Sequence, residues 1–199
     1  MSTTTVMEHH DHHGESNNVF GFWIYIMSDC VLFASIFAAY AVLFQNTFGG
    51  PGPKELASIP FVFIETMILL TSSFTYGLAM LCIHKNNKNG AMALMVCTFI
   101  LGISFIAMEL SEFAHLVHEG DSWQRSAFLS AFFTLVGTHG LHVFVGLVWM
   151  LMLFIQLAIH GIKPMTKTKL TCLGLFWHFL DIVWIFVFSI VYLMGAVLE

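Results

Sequence analysis

Five long apolar segments dominate this sequence, at about residues 19–44, 59–83, 91–116, 127–158 and 170–197. Each is longer than the roughly 20 residues that a helix needs to cross a bilayer core about 30 Å thick. Because that core offers no water to backbone N–H and C=O groups, continuous apolar runs of this length favour helices over barrel strands. The sequence therefore predicts an all-α, polytopic membrane protein, a bundle of five transmembrane helices in one domain covering residues 19–199.

Composition agrees with a membrane protein and argues against nucleic acid as a partner. The chain is 58% hydrophobic and 10% charged, whereas a soluble domain carries about 25% charged residues. Its seven basic residues are scattered and its net charge is −5, so no basic patch is expected. The four cysteines form no CxxC or haem-attachment pattern, and we interpret them as small apolar packing residues.

The distribution of lysine and arginine predicts the orientation. The loops after the second and fourth segments hold five basic residues, and the loops on the opposite side hold two. The positive-inside rule then places the N-terminus in the cytoplasm and the C-terminus outside. The first 18 residues are polar and include Glu-His-His-Asp-His-His at 8–13. We expect them to be a disordered, solvated cytoplasmic tail rather than a metal site.

Ionisable side chains inside hydrocarbon are costly and usually face the interior of a bundle. The segments hold a notable set of them, with no lysine or arginine beside them: Asp29, Glu65, Glu109, Glu112, His139, His142, His178 and Asp181. Either the acids are partly protonated, or they pair with histidine and tryptophan donors.

A helix rises about 1.5 Å per residue, so the depth of each side chain in the membrane can be estimated from its distance to the end of its segment. The estimated depths divide these side chains into two groups. Asp29, the two histidines of the fourth segment, His178 and Asp181 can share a layer in the cytoplasmic half. Glu65, Glu109 and Glu112 fall in the outer third instead. The sequence therefore predicts two separate polar clusters and gives no sign of one continuous proton wire.

His139 and His142 stand three residues apart, flanked by Gly137, Gly140 and Gly146. Small residues at this spacing let a neighbouring helix approach closely, so we favour helix packing around satisfied histidines. A haem held by His142 and His178 stays open as an alternative, because the two fall at similar depth.

One face of the fifth segment carries Trp177, Asp181 and Trp184. An aspartate beside two indole N–H donors suits a buried hydrogen-bond network as well as a proton relay. A proton-coupled transporter built on the buried acids is a further alternative, but transporters usually show internal repeats or broken helices, and the sequence shows neither.

Three stretches resemble subunit III of the haem–copper oxidases. They are Met-Ser-Asp-Cys-Val-Leu-Phe at 27–33, Gly-Thr-His-Gly-Leu-His-Val at 137–143 followed by Gly146, and Trp-His-Phe-Leu-Asp-Ile-Val-Trp at 177–184. Glu109 and Glu112 also match the family in position. The length, the five segments and the Lys-Asn-Asn-Lys loop at 85–88 are most similar to the ubiquinol-oxidising cytochrome o type.

The resemblance implies a proton-pumping complex of the bacterial inner membrane that oxidises quinol and reduces dioxygen to water. Haems and copper are expected in subunit I. This chain is expected to bind phospholipid but no metal, to contribute no catalytic residue, and to stabilise subunit I in a complex with subunits II and IV. The family's buried helix-1 carboxylate, a glutamate in mitochondrial-type chains, maps onto Asp29. A cytochrome c oxidase stays an alternative, because the two kinds of oxidase differ mainly in subunit II.

Overall fold

A computed structural model of the chain describes the backbone of residues 4–44, 59–118, 124 and 126–193, and side chains from residue 19 onward except that of residue 59. Within these ranges all regular structure is helical: α1 is Thr4–Leu43, α2 is Ile59–His84, α3 is Lys88–His118, α4 is Ala127–His160 and α5 is Pro164–Val187. A π-helical turn, Phe188–Leu193, continues α5. Each of the five is long and apolar enough to span a membrane, as the sequence predicted.

Two boundaries differ from expectation. The backbone is helical from Thr4, where a disordered tail was expected up to residue 18. A helix that already exists extends without a new nucleation cost, so a polar stretch can continue a membrane span. The fifth helix begins at Pro164 rather than near residue 170, because proline suits the first helical turn, where no N–H bond is lost. The predicted first loop, most of the third loop and residues 194–199 lie outside the described residues.

Local chemistry accounts for the described helix ends. The Ser126 hydroxyl accepts a hydrogen bond from the Leu129 N–H at 3.0 Å and so caps α4. Gly161 ends the same helix with φ 71°, a conformation that glycine adopts without steric cost. Between α2 and α3, Asn86 has φ 56°, which asparagine tolerates better than most residues. These short turns make successive helices antiparallel neighbours.

Helices α2, α3, α4 and α5 form a four-membered ring in which each packs on the next, and α1 lies in the outer groove between α4 and α5. Thus α1, α4 and α5 are mutual neighbours. Aromatic rings fill the interior: Phe105 meets Trp184 edge to face at a centroid distance of 4.7 Å. The outer surface is apolar, with Val31 71% and Val42 77% exposed, as expected for a surface covered by lipid or by other membrane helices.

Candidate functional site

Asp29 of α1 and His142 of α4 face each other across the α1–α4 contact. Asp29 is 7% exposed, and its Oδ2 lies 3.9 Å from His142 Nε2. His142 Nδ1 lies 2.7 Å from the Thr138 carbonyl oxygen, which can only accept, so Nδ1 carries a proton. In a neutral His142, Nε2 then carries no proton and can only accept a hydrogen bond, as a carboxylate does. The two groups therefore attract each other only when the imidazole or the carboxyl group carries one more proton. The contact brings an acid and an imidazole together between α1 and α4.

His139 is buried in an aromatic cage. The side chain is fully buried, with ring centroids of Trp184 at 5.1 Å, Phe105 at 6.0 Å and Phe33 at 6.4 Å. Neither ring nitrogen has a hydrogen-bond partner among the described residues. The imidazole therefore packs as an aromatic ring where α1, α3, α4 and α5 meet, although its two nitrogens leave capacity for hydrogen bonding.

Glu65 of α2 and the two glutamates of α3, Glu109 and Glu112, form a separate carboxyl cluster. Glu65 is fully buried and Glu109 is 3% exposed, and the three interact electrostatically with one another. Tyr192, in the π-helical turn, is within electrostatic range of all three. Three like charges would repel one another in a medium of low dielectric constant, so the cluster suits a state in which protons are held among the carboxyl groups.

The predicted cytoplasmic-half layer, which comprised Asp29, both α4 histidines, His178 and Asp181, is wrong in one respect. Asp29 and His142 lie together, but His178 and Asp181 belong to the α2–α5 contact, where both interact with Ser73. Residues at equal depth can face different neighbours, and depth alone does not give the direction of a side chain. The haem alternative required His142 and His178 to face each other, and the structure directs them toward different helices.

A line of hydroxyl groups on α2 forms a polar seam with α5. Trp184 Nε1 donates to Thr66 Oγ1 at 3.1 Å, Trp177 Nε1 donates to Ser72 Oγ at 3.2 Å, and the Tyr76 hydroxyl donates to the Leu170 carbonyl at 2.7 Å. His178 Nδ1 and Ser73 Oγ are 2.5 Å apart in the same seam.

The seam corrects a second expectation. The indole N–H groups of Trp177 and Trp184 donate to α2 hydroxyls, not to Asp181 as the spacing suggested. Sequence reasoning missed the four α2 partners, Thr66, Ser72, Ser73 and Tyr76. The only available signal was their clustering within eleven positions of one apolar segment.

Only some of the expected glycines are needed for close packing. A Cβ built on Gly140 would lie 2.5 Å from Glu109 Oε1, and one on Gly146 would lie 3.2 Å from the rings of Phe176 and Trp177. At Gly137 the nearest atom would be 3.7 Å away, an ordinary contact, so the packing there does not require glycine. Gly102 and Gly174, which the sequence reasoning did not select, are as tightly packed, with contacts at 2.7 and 2.9 Å.

Within the described ranges, no three His, Cys, Asp or Glu side chains are grouped closely enough to hold a metal ion. The polar interior consists instead of a carboxyl–imidazole pair, a carboxyl cluster and an inter-helix hydrogen-bond seam. Such an arrangement defines a polytopic membrane protein with a buried, partly hydrogen-bonded polar interior.

Comparison with known proteins gives the family. A family model described as cytochrome c oxidase subunit III matches residues 1–196. Cytochrome bo(3) ubiquinol oxidase subunit 3 of Pseudomonas aeruginosa is 56% identical over 98% of this chain and 100% of that protein. Quinol oxidase subunit 3 of Bacillus subtilis is 43% identical over 95% of this chain and 98% of its own length. Cytochrome c oxidase subunit 3 of Bacillus sp. PS3 is 45% identical over 91% of this chain and 87% of its own length.

The chain belongs to the cytochrome c oxidase subunit III family and is a haem–copper oxidase subunit. The resemblance seen in the three sequence motifs is thereby confirmed. With its five membrane-spanning helices, it is a multi-pass protein of the bacterial inner membrane.

Proposed function

We propose that this chain is the non-catalytic third subunit of a proton-pumping quinol oxidase that reduces dioxygen to water. The observation that carries the proposal is 56% identity over the full length of a relative named as a ubiquinol oxidase subunit. In that complex the haems and copper belong to subunit I, and this chain packs on subunit I and stabilises it. Subunits II and IV complete the assembly, and the cytoplasmic N-terminus and external C-terminus follow from the lysine distribution.

A cytochrome c oxidase is the second candidate. It is favoured by 45% identity to a relative named as a cytochrome c oxidase subunit, a value close to the 43% shared with a quinol oxidase subunit. Identity at this level does not separate the two electron donors. The higher identity of the Pseudomonas aeruginosa relative supports quinol. Oxygen uptake by the purified complex with ubiquinol, and then with reduced cytochrome c, discriminates between the two.

Phospholipid binding belongs to the same proposal. A groove of about 570 Å³ runs along α4 to the start of α5, lined by Trp149, Ile159, His160 and Lys169 among others. Its apolar stretch suits acyl chains, and Lys169 with His160 at the predicted cytoplasmic end suits a phosphate headgroup. Replacing Lys169 with Gln should lower the phospholipid retained by the delipidated oxidase complex, as measured by mass spectrometry. The matched control is Lys163→Gln, an exposed lysine that the groove does not include.

Deletion of the chain tests the non-catalytic function. We expect the haem content of each remaining complex to be unchanged, while the amount of assembled complex and its lifetime during turnover fall. The reason is that the haems and copper belong to subunit I in this proposal, and this chain stabilises subunit I by packing on it. Pyridine haemochrome spectra and timed oxygen uptake measure the two quantities. Loss of one haem equivalent from each complex would contradict the proposal.

A further inference from the structure

An open groove between α2 and α5 has a polar centre. It encloses about 490 Å³ and is lined mainly by leucine and phenylalanine, with Ser73, His178 and Asp181 among them. Phe74, 66% exposed, also lines this groove. We call it the α2–α5 groove. It lies on the outer surface of the described bundle, away from the Asp29–His142 pair and from the carboxyl cluster.

His178 lies in the middle of its span. It lies 14 positions after Pro164 and 15 positions before Leu193, which places it about 21 Å along a helix of about 45 Å. It is exposed, whereas Asp29, Glu65, Glu109, His139 and Asp181 are all buried. Among the described acids and histidines remote from the helix ends, His178 is the one that points outward. An exposed imidazole at the centre of a bilayer is costly unless something polar covers it.

One ring nitrogen in the groove has hydrogen-bonding capacity to spare. Ser73 occupies His178 Nδ1, which leaves Nε2 as the ring nitrogen for a further partner. Asp181, the other ionisable residue of the lining, is only 8% exposed, and its Oδ1 is buried. The exposed His178 ring is therefore the group that a hydrogen-bonding partner from outside the chain can reach at this depth.

The occupant must reach the bilayer centre and carry hydrogen-bonding groups there. Acyl chains cannot hydrogen-bond, and lipid headgroups remain at the interface, about 15 Å away. A transmembrane helix meets both needs, because polar side chains can sit at any position along it. The groove also admits a helix backbone: a Cβ built on Gly77, one of its lining residues, would meet no atom within 4 Å.

We propose that the α2–α5 groove is the docking surface for a transmembrane helix of another oxidase subunit, which presents a hydrogen-bonding side chain to His178. This inference rests on the proposed function, since it identifies the face through which that assembly is made. It adds the depth of the contact and the polar chemistry required of the partner helix.

Photo-cross-linking in the intact oxidase tests the location. A benzophenone amino acid replaces Phe74 in the groove, and in a matched variant it replaces Leu141, which is 62% exposed on α4. The Leu141 variant measures background reaction with lipid and with freely diffusing protein. We expect the Phe74 position to cross-link to a different oxidase subunit well above that background. Reaction with lipid alone, with bound quinol, or with a second copy of this chain would overturn the proposal.

Substitution of His178 tests the chemistry. His178→Phe should lower the fraction of this subunit that stays with the complex in mild detergent, roughly threefold to tenfold for one lost inter-helix hydrogen bond. His178→Gln keeps a hydrogen-bonding group and should restore retention. Retention of the Phe variant at the unsubstituted level would contradict the docking surface. If the unsubstituted chain co-purifies with the oxidase while this test fails, only the docking surface is wrong and the proposed function stands.

Discussion

Gly140 and Gly137 are a turn apart on α4, yet their surroundings differ. A methyl group at position 140 would come within 2.5 Å of the Glu109 carboxyl, and one at position 137 would make an ordinary contact with the Phe113 ring at 3.7 Å. We expect Gly140→Ala to destabilise the folded subunit by about 1–3 kcal/mol, the usual cost of overpacking. Gly137→Ala should be nearly neutral. The thermal midpoint of the oxidase complex and the membrane level of the tagged chain measure this, and equal behaviour of the two variants would contradict the packing described.

Asp29 and His142 should behave as one unit. Removing either group takes away the neighbour that faces the other at 3.9 Å, although Asp29 keeps Tyr25 and His142 keeps the Thr138 carbonyl as partners. We expect each loss to cost about 1 kcal/mol. The double variant Asp29→Asn/His142→Gln is therefore expected to be no less stable than the worse single variant. The control pairs Asp29→Asn with Ser35→Ala, whose hydroxyl bonds only the Leu32 carbonyl of its own helix. That combination should be additive, and additivity of the Asp29–His142 pair would refute their coupling.

At the scale of elements, the α2–α5 seam is held by side-chain hydrogen bonds. In a membrane, apolar surface gains little by leaving lipid for another helix, so such bonds weigh more in helix choice than they would in water. We expect Trp177→Phe and Ser72→Ala to show a coupling energy of about 0.6 kcal/mol, with roughly 1.7 kcal/mol as the upper end of measured values. Unfolding in mixed micelles measures the free energy of unfolding of the unsubstituted subunit, of each single variant and of the double variant.

The hydrogen bond between Trp184 and Thr66 supplies the control for this double-mutant cycle. Ser72→Ala combined with Trp184→Phe should be additive, because Trp184 donates to Thr66 instead. Coupling of this second pair to the same degree as the first would mean that the seam responds as a whole and not through individual bonds.

The positions of the helices could largely be predicted from the sequence. The neighbours that each helix face contacts could be predicted only in part. Long apolar runs gave the five spans and their neighbour relations through short turns. The start at Pro164 was missed because the lysines and threonines at 163–169 look like a loop, although the proline marks the helix start. The spacing of Trp177, Asp181 and Trp184 correctly put them on one face. It carried no information on which acceptors the facing helix offers, so the α2 hydroxyls were missed.

At the scale of the whole molecule, orientation in the membrane is a prediction of its own. The α2–α3 and α4–α5 turns, with Lys85 and Lys163, lie at the same end of the antiparallel bundle. The excess of lysine there should hold this end in the cytoplasm. A phosphatase that is active only outside the cytoplasm should therefore be active when fused after Glu199. Activity of the same enzyme in a fusion after Asn87, and silence after Glu199, would reverse the topology.

Assembly with a haem–copper oxidase is the claim on which the whole account depends. Isolation of the chain from its native membranes by an affinity tag, in mild detergent, tests it most directly, with the bound proteins identified by mass spectrometry. We predict equimolar recovery of a haem- and copper-bearing subunit I together with oxygen uptake supported by ubiquinol. Recovery of the chain alone, or with proteins that carry no haem–copper centre, would contradict the account.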